Sequence, residues 1–385
     1  MGSFGTLLFS AAIMKTLRIL HINTERTWRG GEQLTLYTIQ GLAKRGHFNH
    51  LLAQPNSPMA TRAKEAGHDV IEYPMYGEID LRAVYFIARL AHRWKYHIFH
   101  LHTPHAHMLG GLASLGGRRP IRVVNKRTDF SIYRNSFFGL NRYKYVLLAD
   151  CVIAESKKIQ EVLLQDGIDK KKIALIYEGI DPERFQRGNP QRLRREFSIE
   201  NGAKVVGNIA HFADHKGQIY FVEAIPKILK RFPDSFFFLV GQGELRQKLM
   251  HYAQELGISQ RVFFPGFRKD VEDFLHLFDV FVISSHMEGL CTSIMDAYAA
   301  GTPVVATTAG GIPELVENEK TGILVPPRDP EALADAVCTM LASPAKAKRF
   351  VAKGKEVLYQ KFSAEAMVEQ TLDLYRRLLK SKRRR

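Results

Sequence analysis

Short apolar runs alternate with stretches of helical period along the whole chain. LRILHIN, NHLLAQ, DVIEYP, IFHLHT, IRVVNK, CVIAES and IALIYEG fill the first half, and KVVGNIA, FFFLVGQG, RVFFPGF, VFVISS, PVVATT and GILVPP follow Asn189-Pro190. Most are continuously apolar rather than alternating, as strands covered on both faces must be, so they predict parallel sheets flanked by helices. Two such series make an α/β protein of two doubly wound, Rossmann-like domains facing a central cleft. The expected divisions are residues 14–185, residues 186–362, and a final helical stretch with a basic tail over 363–385. Ligands of such folds sit beyond the carboxyl ends of the strands, which here means in the cleft.

A chain of 385 residues is long for a single core, which supports the two-domain division. With 45% hydrophobic and 24% charged residues it is neither a disordered chain nor an integral membrane protein. No apolar run approaches the roughly 20 residues of a spanning helix. SFGTLLFSAAI at 3–13 is too short and lacks a basic leader, so Met14-Lys15 is the expected start of the folded chain. Cys151, Cys291 and Cys338 are odd in number and far apart, which fits a reducing cytoplasm and gives neither a disulfide frame nor a zinc spacing. The formal charge of +16 calls for an anionic partner. No helix-turn-helix, zinc-finger or RNA-recognition signature accompanies it, so nucleic acid is not the expected one.

Residues 281–316, FVISSHMEGLCTSIMDAYAAGTPVVATTAGGIPELV, carry the most chemistry. A strand runs into a break at Glu288-Gly289-Leu290, and Cys291 to Ala300 read as a helix whose first N–H groups and dipole face an anion. Glu288 stands in the turn and Asp296 eight positions on, so one carboxylate can reach a sugar and the other ribose hydroxyls. Alone, an acidic residue beside a helix start is ordinary dipole complementation. The second strand and the Gly310-Gly311 turn that follow weigh toward a built pocket.

Gly30 and Gly31 precede a helix starting near Glu32 and permit close backbone approach of a ligand. Lys216-Gly217 opens a helix after the first strand of the second series. Five histidines, His97, His100, His102, His105 and His107, suggest a metal site, and His105 and His107 share the parity of one strand face. No Asp or Glu lies among them and Pro104 breaks the strand, so no metal is expected. GQGELRQ lacks the third glycine of a dinucleotide fingerprint, which makes an oxidoreductase a weak reading.

Together these segments resemble the family 4 retaining glycosyltransferases of the GT-B fold, the glycogen synthase-like and lipopolysaccharide-type enzymes, from about residue 15 onward. Glu288 and Asp296 are similar to that family's Glu-x7-Glu motif with Asp in second place. The resemblance implies transfer of a hexosyl-type sugar from a nucleoside diphosphate sugar, UDP first, to a glycan or lipid-linked hydroxyl acceptor. It implies no metal and no cofactor beyond the donor itself. His102 is then expected beside the transferred sugar and its 6-hydroxyl, with Lys216 facing the diphosphate and Glu288 the sugar. The donor is expected to meet Gly30 and Gly31, then Gly266, Phe267 and Arg268 beside the base, Gly289, Leu290, Cys291 and Thr292 at the helix start, and Asp296 at the ribose. The last helix is expected to cross back to the first domain.

Two positions depart from that pattern. His211 stands five residues before Lys216, where the family has Arg, and a neutral imidazole supplies less charge to the diphosphate. Glu178 stands where Asn is more usual, a change expected to leave the mechanism alone.

In LRAVYFIARLAHRWKY, Arg82, Arg89 and Arg93 fall within about 40° of one another on one helix face, with Phe86 beside them. With the basic C-terminus, this makes the anionic surface of the cytoplasmic leaflet an expected partner, where lipid-linked or lipopolysaccharide-type acceptors would be met. Two other readings fit the residues less fully: an epimerase or phosphorylase of similar fold, and a non-enzymatic basic protein binding membranes or nucleic acid.

Overall fold

The computed structural model describes residues 16–77, 79–117, 119–133 and 140–383. The first sheet is built from β1 (Arg18–Asn23), β2 (Phe48–Ala53), β3 (Val70–Glu72), β4 (Ile98–Leu101), β5 (Ile121–Lys126), β6 (Cys151–Ala154) and β7 (Ile173–Leu175). Its order is β3-β2-β1-β4-β5-β6-β7. The second, β10-β9-β8-β11-β12-β13, uses β8 (Val205–Ile209), β9 (Phe236–Val240), β10 (Val262–Gly266), β11 (Val280–Ile283), β12 (Val304–Thr307) and β13 (Ile323–Val325). All pairings are parallel. Each apolar run of the sequence forms one of these strands, because a central parallel strand has both faces under helices and must be apolar throughout.

In the first domain the crossovers are α1 (Gly30–Lys44), α2 (Pro58–Glu65), α3 (Leu81–Trp94), α4 (Pro104–Ala113), α5 (Leu140–Leu148) and α6 (Lys157–Gln165). Then α7 (Pro190–Glu196) leads into α8 (Gln218–Arg231), α9 (Arg246–Glu255), α10 (Val271–Leu277), α11 (Thr292–Ala300), α12 (Ile312–Leu315), α13 (Pro330–Ala342) and α14 (Pro344–Lys361). Strand order reverses at β1/β4 and at β8/β11, and the loops leaving these four strands form the facing walls of the cleft.

The last helix, α15 (Ala364–Arg383), packs on α1, and Arg45 pairs there with Glu369 at 2.6 Å. The chain reaches it through a bridge in which Ile180 N–H donates to the Phe362 carbonyl at 3.0 Å and Ala364 N–H to the Ile180 carbonyl at 2.7 Å. Val368, Leu372 and Tyr375 are buried in one core with Ile19 and Leu34, so α15 completes the first domain.

Thr103 caps α4 through its hydroxyl, which accepts from Ala106 N–H, so the strand ends before Pro104 as expected and His105 and His107 are helical. Phe86 lies beside the basic stripe of α3 but is half-buried, stacking on Tyr73 with ring centroids 4.0 Å apart, and the exposed aromatic of that helix is Tyr85.

Candidate active site

The turn before α11 is shaped by backbone packing. Gly310 has φ +54°, and a Cβ there would stand 1.6 Å from the Glu288 carbonyl oxygen. A Cβ on Gly289 would stand 2.2 Å from the carbonyl oxygen of Arg127 in the first domain. Glycine is required at both places by space, and at the first by conformation as well. Cys291 offers no side-chain cap to the backbone of α11, its thiol meeting the Ser293 hydroxyl at 3.2 Å instead, so the first N–H groups of the helix stay open, flanked by Gly289, Leu290 and Thr292. Gly30 approaches the same place from the first domain, where a Cβ on it would lie 3.3 Å from Thr292 Oγ1.

Lys216 closes a single 3₁₀ turn, Asp214–Lys216, and its Nζ donates to both oxygens of Glu288 at 3.0 and 2.7 Å. Ser285 Oγ adds a third bond to that carboxylate at 3.2 Å. Burial alone would lower the lysine pKa, but Glu288 and then Cys291 more than offset it, so the pKa rises and the ammonium is retained. Lys216 and Glu288, 72 residues apart in sequence, thus form one charged unit at the start of α11.

Asp296 lies further along α11, in the field of Arg184 and Glu272 and close enough to Tyr37 to help raise that phenol's pKa to about 12, after burial. Burial raises the Asp296 carboxyl to about 7, with Arg184 opposing and Glu272 assisting. His211 is partly exposed and lies 3.5 Å from Glu244. Gly266 ends β10 with Phe267 half exposed beside it, whereas the Arg268 guanidinium turns away into ion pairs with Glu196 and Asp270. At this segment backbone and ring are left to face a ligand, not the arginine head.

Sequence reading missed a buried polar chain behind His102. Asn49 donates its amide to the His47 carbonyl, so its oxygen accepts from His21 Nε2–H at 3.1 Å, and His21 Nδ1 in turn accepts from His102 Nε2–H at 3.0 Å. His102 Nδ1 is left as a buried lone pair with no partner among the described residues. In parallel, Asn125 donates to Glu155, accepts from His100 Nε2–H, and leaves His100 Nδ1 to accept from Tyr375 O–H of α15 at 2.7 Å. Burial, ahead of the mutual repulsion of the rings, holds His100 and His102 well below the ordinary histidine range, and burial, opposed by the Asn49 bond, holds His21 at about 4. His21, His100 and His102 each offer a nitrogen within 4.8 Å of the others. All but one of their ring nitrogens are already hydrogen-bonded, so a cation would have to break this network.

Arg127 joins the chain to the cleft. Its Nε donates to Glu155 at 3.1 Å and lies 3.5 Å from Glu178, and its Nη1 donates to the His102 carbonyl at 3.1 Å. Beyond the carboxyl ends of β1 to β4 a cleft of about 600 Å³ opens, lined by Thr24, Arg26, Arg29, Gln54, Tyr76 and His105 among others.

Residues 28–184 match the family described as Glycosyltransferase Family 4, and residues 190–357 match Glycosyl transferases group 1. The chain is 31% identical over 260 residues to the lipopolysaccharide core biosynthesis glycosyltransferase LpsE of Rhizobium meliloti, covering 68% of this chain and 72% of that protein. It is 24% identical over 336 residues to an Escherichia coli UDP-Gal:alpha-D-GlcNAc-diphosphoundecaprenol alpha-1,3-galactosyltransferase, covering 83% and 87%. Among solved structures, Anabaena HepE in complex with UDP and glucose superposes with a TM-score of 0.82 at 23% identity, over 93% of this chain and 99% of that one. That likeness shows the GT-B fold.

Proposed function

Because the chain belongs to the family 4 glycosyltransferases, we propose that it moves a sugar from a nucleoside diphosphate donor to a hydroxyl acceptor with retention at the anomeric carbon. The observation that carries this reading is the Lys216–Glu288 unit at the open N-terminus of α11. A cation and a helix dipole converge where a departing diphosphate would gain charge, the arrangement that stabilises such a leaving group most. In this mechanism they do the work of a divalent ion, and no cofactor beyond the donor enters. The C1–O bond to the diphosphate breaks with its electrons on oxygen. The acceptor oxygen bonds C1 on the same face, and its proton passes to the diphosphate oxygen. In this reading His102, held as the Nδ1 acceptor tautomer, accepts from a sugar hydroxyl.

UDP is the expected nucleotide, as in the HepE complex and the Escherichia coli relative. An acceptor in cell-envelope glycan synthesis follows from LpsE and the lipid-linked substrate named for that relative. No helix among the described residues is long and apolar enough to cross a membrane. The reading includes peripheral attachment to the cytoplasmic leaflet through α3, because its Leu81, Arg82, Tyr85, Arg89 and Arg93 are exposed together. Thermal unfolding with a panel of UDP-, GDP- and ADP-sugars, followed by detection of released nucleotide, tests the assignment. Stabilisation by at least one UDP-sugar with slow UDP release is expected; no shift with any donor would reject it.

A further inference from the structure

We propose that Arg127 is the guanidinium that grips the departing diphosphate, supplied by the first domain where the second carries His211 in place of arginine. The inference rests on the transferase reading above. Arg127 follows β5, and its Nη1 and Cδ lie 3.2 and 3.3 Å from where a Cβ on Gly31 would stand. Gly30, the adjacent residue, faces Thr292 of α11, and Gly289 sits on the Arg127 carbonyl. The arginine therefore stands between the paired glycines of the first domain and the open helix start of the second, the position an anion at α11 would occupy.

Its fork is pre-set rather than consumed. Nε is held by Glu155 and Glu178 and Nη1 by the His102 carbonyl, while Nη2 donates no hydrogen bond among the described residues. Two ionised glutamates against one arginine would leave this spot net negative and repel a diphosphate. Burial first, and then Glu155, hold the Glu178 carboxyl well above the usual range, so Glu178 keeps its proton. A protonated glutamic acid, like the asparagine expected at 178, is neutral and can both donate and accept a hydrogen bond. A neutral Glu178 leaves the Arg127 charge as an asparagine there would, in keeping with the expectation that this departure spares the mechanism. His211, by contrast, is partly exposed and faces Glu244.

The test uses UDP as the binding probe and UDP release from UDP-sugars, with water as acceptor, as the turnover. Arg127→Gln should lower turnover by about 100-fold or more, the scale of losing one strong donor to a developing anion, and weaken UDP binding with the fold intact. His211→Arg in that background should recover at least about tenfold, because a guanidinium is returned from the opposite wall. A merely structural arginine would show no such rescue, so unchanged turnover in Arg127→Gln, or no recovery in the double variant, overturns the inference. If Arg127→Gln does not fold, Arg127→Lys, which keeps the charge but loses the fork, carries the same comparison: loss rescued by His211→Arg supports, loss without rescue or no loss overturns. A wild-type protein that binds neither UDP, GDP nor ADP would instead overturn the transferase reading.

Discussion

At the scale of single residues, the charged groups of the cleft act as pairs rather than alone. Lys216 and Glu288 satisfy one another, so removing either strands its partner in a largely buried place, which costs more than losing both. Lys216→Ala and Glu288→Gln should each lower the unfolding temperature more than the double variant does, with a coupling of about 1–3 kcal/mol in a denaturant cycle; strict additivity would show that the pair does not exist in solution. Asp296 yields a pH prediction. Its carboxyl is raised from 3.8 to about 7 in the folded protein, so the native state binds more protons than the unfolded chain between those values. Stability therefore falls as pH rises through that window. Asp296→Asn should remove this slope, leaving the variant more stable by about 1–3 kcal/mol at pH 8 and not below pH 4. Donor affinity should move oppositely, rising with pH through about 7 as the carboxylate forms to accept ribose hydroxyls, and becoming flat in Asp296→Asn. An identical pH profile of donor affinity in both proteins would remove Asp296 from the ribose.

At the scale of elements, the glycine turn that follows β12 sets the shape of the turn that follows β11. Gly310→Ala must either abandon φ +54° or push the Glu288 carbonyl away, and the left-handed conformation alone costs about 1 kcal/mol for alanine. Weakened nucleotide binding with only a modest loss of unfolding temperature is expected by calorimetry; binding as tight as wild type would show the turn to be more compliant than its packing suggests. The strands and the α11 site were readable from sequence because their signals are local. Apolar runs of strand length, a glycine pair and a carboxylate eight positions from another all lie within a short window. The polar chain behind His102 was not readable, since it depends on meetings across the fold: His21 with Asn49, and His100 with Tyr375, which lies 275 residues away. The available signals were the histidine inside the run LRILHIN and the pair His100 and His102 inside IFHLHT. Helical periodicity placed Phe86 on a face but could not say that it stacks on Tyr73.

Across the whole molecule, charge and exposed apolar groups meet on α3. Leu81 and Tyr85 are exposed beside Arg82, Arg89 and Arg93, a mixture that suits insertion into the headgroup layer of an anionic bilayer. Co-sedimentation with anionic but not neutral vesicles is expected, weakened by salt and by Arg82/Arg89/Arg93→Glu; no pelleting at low salt would leave a soluble acceptor as the better assignment. A different consequence follows from α15 closing the first domain. Val368, Leu372 and Tyr375 enter a core with Ile19, Leu34 and Tyr37, which were translated hundreds of residues earlier. Domains usually fold in order as they leave the ribosome, but here the first must wait, with α1 uncovered, until the second has been made. Ribosome-stalled chains ending at residue 362 should therefore be cleaved by protease in the first domain while the second resists, so that loss of α15 damages the domain translated first rather than the one beside it in sequence.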